Sequence, residues 1–586
     1  MTFPRKVLPA VLVLVAAVTA GAQAMERSLV ESAGRRVMAF YYPWYGVSNG
    51  PGGAGRVVHW GRIDAAAKDI AASMHYPQLG AYDSHDPKVI EQHCRWAKQA
   101  GIDTFIVSWW GHGHYTDRAM KAILDGCQRS GLAACIYYET VPAPRTPAAA
   151  AGDIVKVLSK YGGHPAHSKV NGKPVVFVYG RALQEMDLIE WRRAVAIINA
   201  RYRGGAILIG DQFGYGAARV FDGVHTYNTA GMLRGRDPAA AREWASGTYR
   251  SWVDLADRAG KISTLTLIPG YDDTKIRKPG LAVERYEGAS YRRQWEEAIK
   301  ADPHWVLITS FNEWHEGSEV EPSAEYGRKY LDVTAAFSKE FKATERKARK
   351  PLAGSGLSAA AKARLRVKLG SVRMAALPNA DSMAFWWLLE LGVALDVLSW
   401  EDVVEEKLSP EKYAVLLYCG GENYRSSVRR TGDVEGALAG YLKAGGTIAF
   451  LPSLPWPFYY DENGNAVNGS GRLGLTLRSS WESPPAGAEL YLTQPAKYMS
   501  HVPERFEFPR SGDLRWRPFF ARPGVEHTSI LQLRNRGDAY LGDAVAWSDA
   551  AGGGHVLYVW FGLLRGPHAE ALLYDVFDFL CARLGG

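Results

Sequence analysis

Eight short apolar segments, with helical patterns between them, recur along residues 34–340 of this 586-residue chain. They are rich in β-branched and aromatic residues and end in aromatic or polar ones, which is typical of buried strands. Eight strands that alternate with helices are what a (β/α)8 barrel requires. The segments are Arg36–Trp44, Thr104–Trp110, Ala133–Glu139, Pro174–Tyr179, Ala206–Asp211, Gly223–Asn228, Thr264–Gly270 and Trp305–Glu313. The sequence therefore predicts a TIM barrel, whose functional side chains lie at the carboxyl ends of the strands.

The eighth segment runs into a cluster of carboxylates, VLITSFNEWHEGSEVE, at residues 306–321. The four glutamates are Glu313, Glu316, Glu319 and Glu321. Cleavage of a glycosidic bond requires an acid that protonates the leaving oxygen and a second carboxylate nearby. Glu313 and Glu316 supply such a pair, and the intervening Trp314 and His315 can give the two carboxyls unequal surroundings and unequal pKa values. The alternative is a salt-bridged pair at the rim of the barrel.

Aromatic residues cluster after the first strand, in the run YYPWYG at residues 41–46, and His59 and Trp60 follow. Tyr42 and Tyr45 can wall a sugar subsite together with these two side chains, whose polar atoms would bond the sugar. A packed barrel mouth explains the same pattern equally well.

The second strand ends in a pair of tryptophans, Trp109 and Trp110, which we interpret as a platform for a sugar face. His112 and His114 follow at alternate positions. No carboxylate or cysteine partner stands at ligand spacing from them, so we expect neither a metal nor another cofactor.

Other strand ends add polar groups that would converge on the same mouth. Convergent polar groups at the mouth of a barrel indicate a ligand site. The further candidates for substrate binding are Glu139, Tyr179, Tyr227, Asn228, Tyr271, Arg277 and His315.

Taken together, residues 36–331 resemble glycoside hydrolase family 99, the family of endo-α-mannosidases and endo-α-1,2-mannanases. The resemblance rests on several motifs in the same order. They are FYYPWYG, HYPQLGAYDSHDPKVIEQH, GIDTFIVSWWG, NGKPVVFVYG, FDGVHTYN, PGYDDTKIR and SFNEWHEGSEVEPS.

The resemblance implies an endo-acting, retaining α-mannoside hydrolase with a (β/α)8 fold. It implies that Glu313 is the base that deprotonates the sugar 2-hydroxyl, which attacks its own anomeric carbon to give a 1,2-anhydro sugar. Glu316 would protonate the leaving oxygen and then activate water. The residues alone favour the usual retaining route, in which a carboxylate is the nucleophile. Trp110 matches a tryptophan of bacterial mannan-active members and would contact mannose on the non-reducing side of the cleaved bond.

Three pieces depart from the family pattern. Ser318-Glu319 stands in place of Thr-Gln, Glu139 is followed by Thr-Val-Pro in place of Pro-Tyr, and residues 276–279 replace Arg-Pro-Trp. These positions lie where outer sugars would bind, so they concern the substrate more than the chemistry.

A second α/β pattern occupies residues 367–586, after a linker at 341–366. Its alternation predicts a smaller flavodoxin-like sheet that loosely resembles class I glutamine amidotransferase-like domains, with a β-rich insertion at about 453–550. Cys419 lacks the surroundings of a nucleophile, so we expect a structural, oligomerising or glycan-contacting role for this domain.

The first 24 residues have the pattern of a secretory signal peptide. Arg5 and Lys6 precede an apolar stretch at residues 7–19 that is too short to span a bilayer, and Ala-Gln-Ala at 22–24 fits the cleavage pattern. We expect export to the periplasm or the exterior without stable membrane insertion. The alternative is an uncleaved anchor.

Composition excludes some other classes. Hydrophobic residues make up 47% and charged residues 22%, as in ordinary globular proteins. The formal net charge of +8 is spread along the chain, so we expect no nucleic-acid partner. The five cysteines show no metal spacing and are expected to be buried thiols, although Cys127 and Cys135 could pair if they meet in space.

The sequence thus predicts an exported endo-α-mannosidase-like hydrolase that acts on an oligosaccharide or polysaccharide. Two alternatives stay open: a related barrel hydrolase that cleaves another α-linked bacterial polysaccharide, and a glycan-binding barrel without turnover.

Overall fold

Residues 30–347 form a closed barrel of parallel strands in the computed structural model. The structure also describes residues 357–377, 382–419, 434–451, 458–460, 466–468, 470–473, 475–476, 490–508, 518–550, 553–566 and 568–585. The chain divides into two units, Met1–Arg349 and Lys350–Gly586. The expected signal peptide at residues 1–24 lies outside the described residues.

The barrel has eight strands within residues 30–347. They are β1 (Arg36–Tyr41), β2 (Thr104–Trp109), β3 (Ala133–Tyr138), β4 (Lys173–Val178), β5 (Ile207–Gly210), β6 (Gly223–Val224), β7 (Ile262–Leu267) and β8 (Trp305–Ile308). Every neighbouring pair is parallel, including β1 with β8 and β3 with β4, so the sheet closes on itself. Each strand lies within one of the eight predicted segments or overlaps it, and the TIM-barrel prediction is confirmed.

Helices connect the strands. They are α1 (Pro87–Gln99), α2 (Tyr115–Ser130), α3 (Pro147–Tyr161), α4 (Gly180–Glu185), α5 (Leu188–Arg201), α6 (Ala217–Val220), α7 (Ala230–Leu233), α8 (Pro238–Arg258), α9 (Ala289–Ala301) and α10 (Lys329–Ala343). Several begin at an acidic cap, as α1 does at Asp86 and α8 at Asp237, because the carboxylate accepts a backbone N–H that the helix leaves unpaired.

The barrel core follows the two-residue period of its strands. Met38 and Phe40 point inward from β1 and pack with Tyr137 and Phe177 in one buried cluster. The same face of the chain continues beyond β1 to Tyr42. The mouth of the barrel is therefore lined by the residues that follow each strand in this register.

The second unit contains a mixed sheet. Its strands are β9 (Met374–Ala376), β10 (Asp396–Val397), β11 (Val415–Tyr418), β12 (Thr447–Phe450), β13 (Phe458–Tyr460), β14 (Ala466–Asn468), β15 (Leu490–Thr493), β16 (Arg505–Glu507), β17 (His527–Asn535), β18 (Tyr540–Asp549) and β19 (His555–Val559). Five parallel strands lie in the order β10-β9-β11-β12-β19, which is the flavodoxin-like order. Antiparallel strands β18, β17, β15 and β16 extend this sheet, and β13 pairs with β14.

The helices of this unit are α11 (Ala359–Leu369), α12 (Met383–Leu391), α13 (Trp400–Val404), α14 (Val434–Lys443) and α15 (Ala569–Arg583). Helix α11 starts inside the stretch predicted to be a linker, because Ser358 caps an alanine-rich segment that forms helix readily. Residues 348–356 of that stretch, and parts of the predicted insertion, lie outside the described residues.

All five cysteines are buried and unpaired, and the pair that comes closest is Cys94 and Cys127, with 3.9 Å between sulfur atoms. The expectation of buried thiols is confirmed. No helix formed by the described residues combines the length and apolar character needed to cross a bilayer.

Candidate active site

A cleft with about 450 Å³ of empty space opens at the carboxyl ends of the barrel strands. Its aromatic wall includes Tyr42, Trp110, Tyr179 and Tyr227, and its charged and polar groups include Glu139, Arg277, Glu313, His315 and Glu316. All nine are among the residues predicted from the sequence.

The loop after β8 brings the two catalytic candidates into this cleft. Ser310 accepts a hydrogen bond from the backbone of Glu313 at 2.7 Å, and its own N–H donates to the carbonyl of Ser318. A single turn of 3-10 helix, Trp314–Glu316, then ends at Gly317, which has φ 51°. A Cβ at Gly317 would lie 3.1 Å from the carbonyl oxygen of Asp272, so the tight turn favours glycine.

Side chains from the first strand hold this loop. The amide of Asn312 bonds both the N–H and the carbonyl of Tyr42, at 2.7 and 3.1 Å. Tyr45 accepts from the backbone N–H of Trp314 at 2.9 Å and donates to Oε1 of Glu313 at 3.3 Å. The position of Glu313 is therefore fixed by the segment that follows β1, the strand next to β8 in the barrel.

Glu313 is buried, with 2% of its surface exposed. Its Oε1 also accepts from the N–H of His315, whereas its Oε2 is buried without a hydrogen-bond partner in the cleft wall. Burial, with the negative charge of Glu316 as the next cause, holds the pKa of Glu313 well above its usual range. A carboxylate in such a site has a high affinity for a proton.

Glu316 has more polar surroundings. Tyr227 donates to its Oε2 at 2.8 Å, and Arg277 approaches its Oε1 at 3.4 Å. Burial raises the pKa of Glu316, while the Tyr227 hydroxyl and the Arg277 charge oppose that rise. Because Glu313 and Glu316 repel each other when both are ionised, the pair favours a state with one shared proton.

The other two glutamates of the cluster lie outside the cleft. Glu319 is bound by Arg285 at 2.8 Å and by His75 at 2.8 Å. Glu321 accepts from Trp314 Nε1 at 3.1 Å and pairs with His93 at 3.1 Å. The ion pair between Arg285 and Glu319 and these hydrogen bonds anchor the loop that carries Glu313 and Glu316.

A third carboxyl group, Glu139, lies in the cleft at the end of β3. It accepts from Ser108 at 2.7 Å, and Ser108 in turn accepts from the indole N–H of Trp110 at 3.1 Å. Burial raises the pKa of Glu139 to about 8, against the opposing effect of the Ser108 hydrogen bond. The group is therefore largely protonated at neutral pH and can donate a hydrogen bond.

Six predicted site residues do not line the cleft. Trp109 and Trp60 are buried in the core, where their indole N–H groups donate to Asp117 and to the carbonyl of Tyr82. The platform expected at the end of β2 is thus Trp110 alone, because successive residues of a strand face opposite sides. Asn228 accepts from the N–H of Ala230 at the start of α7.

The remaining three support residues that do line it. Tyr45 donates a hydrogen bond to the carboxyl group of Glu313 and thereby orients it. Tyr271 accepts from Arg277 at 2.6 Å and donates to Asp273 at 2.9 Å. The carbonyl of His59 accepts from the ring of His315, so His59 acts through its backbone.

Three cleft residues were absent from the sequence prediction: Trp44, Arg181 and Ile276. Each follows a strand end by a few positions, and that location was the available signal. Trp44 stacks on His59 with ring centroids 4.7 Å apart.

The two alternating histidines after β2 do not line the cleft. His112 pairs with Asp153 at 3.2 Å, and His114 caps α2. No group of three or more His, Cys, Asp or Glu side chains arranged to hold a metal occurs among the described residues.

Comparisons with known proteins match the barrel unit to one protein family. The model of glycosyl hydrolase family 99 matches residues 33–342, more than half of the chain. The glycoprotein endo-alpha-1,2-mannosidase of Rattus norvegicus is 28% identical over 339 residues, covering 50% of this chain and 70% of that protein. The protein of the same name from Xenopus laevis is 28% identical over 323 residues, covering 48% and 68%.

Among solved structures, the GH99 endo-alpha-mannosidase from Bacteroides thetaiotaomicron is 28% identical and covers 53% of this chain and 98% of that chain, with a TM-score of 0.46. The loose amidotransferase resemblance of residues 367–586 is not confirmed by these matches.

Proposed function

Because the chain belongs to glycosyl hydrolase family 99 and is a glycoside hydrolase, we propose that it is an exported, endo-acting α-mannoside hydrolase that retains anomeric configuration. The observation that carries the proposal is the placement of Glu313 and Glu316, two coupled carboxyls in one cleft with unequal surroundings. The names of the relatives support the α-mannoside substrate.

In the proposed reaction, Glu313 removes the proton of the sugar 2-hydroxyl, and that oxygen attacks the anomeric carbon. The glycosidic bond breaks, and the leaving oxygen takes a proton from Glu316. Water then gives a proton to Glu316 and attacks the anomeric carbon of the 1,2-anhydro sugar, whose ring opens as O2 regains the proton from Glu313. Two inversions at one carbon give net retention.

Both roles depend on proton affinity, and the larger rise in the pKa of Glu313 places the proton of the free pair on Glu313, so the reactive form is the minor one before a substrate binds. A base that must deprotonate a sugar hydroxyl benefits from high proton affinity, and burial gives Glu313 that affinity. An acid that works near neutrality needs a raised pKa, and burial raises the pKa of Glu316 as well. The reactive form carries the shared proton on Glu316 and the negative charge on Glu313.

The test is to incubate the protein with yeast α-mannan and defined α-mannosides and to measure new reducing ends. Glu316→Gln should lower turnover on these substrates by roughly 10²–10⁴-fold. Glu340→Gln is the matched control, since Glu340 is exposed on α10. Binding without product in the unmodified protein would favour a glycan-binding barrel, and product only from other α-linked polysaccharides would assign the substrate elsewhere.

A second measurement separates the two roles. Fluoride ion leaves a glycosyl fluoride without protonation, so Glu316→Gln should still release fluoride from an α-mannosyl fluoride substrate in the first step, although it should not cleave the natural linkage. The second step, in which Glu316 activates water, should stay slow in this variant. Glu313→Gln should be inactive on both, because the 2-hydroxyl must still be deprotonated. The opposite pattern would exchange the roles.

Export is proposed from the basic, apolar and small-residue pattern of residues 1–24. Mass spectrometry of the protein recovered from the periplasm or medium should give an N-terminus directly after Ala24. An intact N-terminus in the membrane fraction would support the uncleaved anchor.

A further inference from the structure

Arg181 lies in the wall of the cleft, two residues after Tyr179 at the end of β4. Its side chain is exposed, and its guanidinium carbon lies 4.7 Å from the centroid of the Trp110 ring. A guanidinium stacked on an aromatic face keeps its N–H groups free to point sideways. The stacking therefore holds a positive charge at a defined place beside the proposed sugar platform.

The two arginines of the cleft differ in their partners. Arg277 pairs with Asp273 at 2.5 Å and with Glu316 at 3.4 Å. Arg181 makes neither a hydrogen bond nor an ion pair with the side chains and backbone that the structure describes around it. Its donors are available to a ligand.

The carboxyl group of Glu139 does not cancel the charge of Arg181. Glu139 influences Arg181 electrostatically, but burial raises the pKa of Glu139 to about 8, so it is mostly neutral at pH 7. Glu313 and Glu316 share a proton, and their remaining charge is opposed by Arg277. The guanidinium of Arg181 is therefore not neutralised by Glu139, and its N–H donors stay available in the cleft wall.

We propose that Arg181 forms a subsite for an anionic substituent, a carboxylate or a phosphate, on the glycan bound next to Trp110. The planar guanidinium matches either group with two parallel hydrogen bonds. A neutral mannan offers no group that requires this charge. The proposal rests on the proposed function for the sugar, and it names the substrate class as an acidic α-linked glycan.

A rival role for Arg181 is to adjust the protonation of Glu139. That role needs only a positive charge nearby. The subsite also needs the planar guanidinium, stacked on Trp110, with its two parallel N–H donors. Arg181→Lys keeps the charge and loses the planar pair of donors, so it separates the two roles.

The test measures how strongly three probes quench tryptophan fluorescence on binding. The probes are α-mannobiose, α-mannobiose 6-phosphate, and an α-mannobiose in which one mannose is replaced by mannuronate. The protein should bind at least one anionic probe roughly tenfold or more tighter than the neutral one, and high salt should reduce the difference. Arg181→Gln should abolish the preference, and Arg181→Lys should restore little of it. Arg193→Gln, which removes an exposed charge from α5, should leave it intact.

The anionic probe that binds more tightly identifies the substituent recognised by Arg181 as a phosphate or a carboxylate. Equal affinities, no measurable binding of either anionic probe, or a preference that survives Arg181→Gln would overturn the subsite. A full preference in Arg181→Lys would assign Arg181 to the tuning role instead. The absence of new reducing ends from all α-mannosides would refute the proposed function. The relative affinities of the three probes would still decide whether Arg181 forms an anionic subsite.

Discussion

The hydroxyl of Tyr227, at the barrel end of β6, donates a hydrogen bond of 2.8 Å to Oε2 of Glu316. A hydrogen bond to the ionised form of a carboxyl stabilises that form and lowers its pKa. The bond thus moderates the rise in the pKa of Glu316 that burial causes. It connects two strand ends that are distant in sequence and makes the surroundings of Glu316 differ from those of Glu313.

Tyr227→Phe should move the alkaline limb of the pH–rate profile to higher pH. Without the donor, Glu316 stays protonated to higher pH, so the acid form needed for leaving-group protonation persists. The pH dependence of kcat/KM on an α-mannoside measures the shift. Tyr498→Phe, an exposed change in the second unit, should leave the profile in place. If the alkaline limb stays at the same pH in Tyr227→Phe, a group other than Glu316 controls it.

Trp110→Ala and Trp109→Ala should have opposite signatures, although the residues are adjacent. Trp110 lines the cleft, so its loss should raise KM up to about tenfold with little change in Tm. Trp109 is 1% exposed, so its truncation should destabilise the barrel by roughly 3–5 kcal/mol. Thermal unfolding and substrate titration of both variants test this, and similar behaviour of the two would contradict the assignment of faces.

Glu139→Gln should change how stability depends on pH. Because burial raises the pKa of Glu139 to about 8, its folded state binds a proton that the unfolded chain releases near pH 4.3. The contribution of this proton is present below the unfolded pKa and is lost as pH rises towards 8. Glutamine stays neutral, so between pH 5 and pH 9 the variant should gain roughly 5–10 °C in Tm relative to the unmodified protein.

Differential scanning calorimetry at these two pH values gives the comparison for Glu139→Gln. The difference between the two proteins matters, because other buried carboxyls contribute equally to both. A gap in Tm that is constant with pH would mean that Glu139 ionises normally.

Glu321→Gln should lower kcat more than it raises KM. Glu321 lies outside the cleft and holds Trp314, which separates the two catalytic candidates, while Tyr82 also donates to it at 2.8 Å. Both bonds fall on Oε2, which the amide oxygen of glutamine can replace. The amide NH2 then stands in place of Oε1 and cannot accept from His93 Nε2, which lies 3.1 Å from that oxygen, so this contact is lost and the loop relaxes. Steady-state kinetics with a parallel Tm measurement tests this. A rise in KM alone would indicate a direct role in substrate binding.

The sequence by itself determined the barrel, because short apolar runs that alternate with helical patterns predict parallel strands buried on both faces. It also located the site, since parallel strands connected by helices must bring their carboxyl ends to one mouth. For that reason Glu313, Glu316 and most of the aromatic wall could be found from their positions after strand ends.

Only the tertiary structure decided which of the four clustered glutamates share the cleft and which are held elsewhere, Glu319 by an ion pair with Arg285 and Glu321 by hydrogen bonds. It also decided that Trp110 faces the cleft while Trp109 enters the core, and that Arg181 lies on Trp110 without a carboxylate partner. The contact between Tyr45 and Glu313 joins residues 268 positions apart. Such contacts depend on how the barrel closes and in which register its strands pair, and no local pattern in the chain encodes those two quantities.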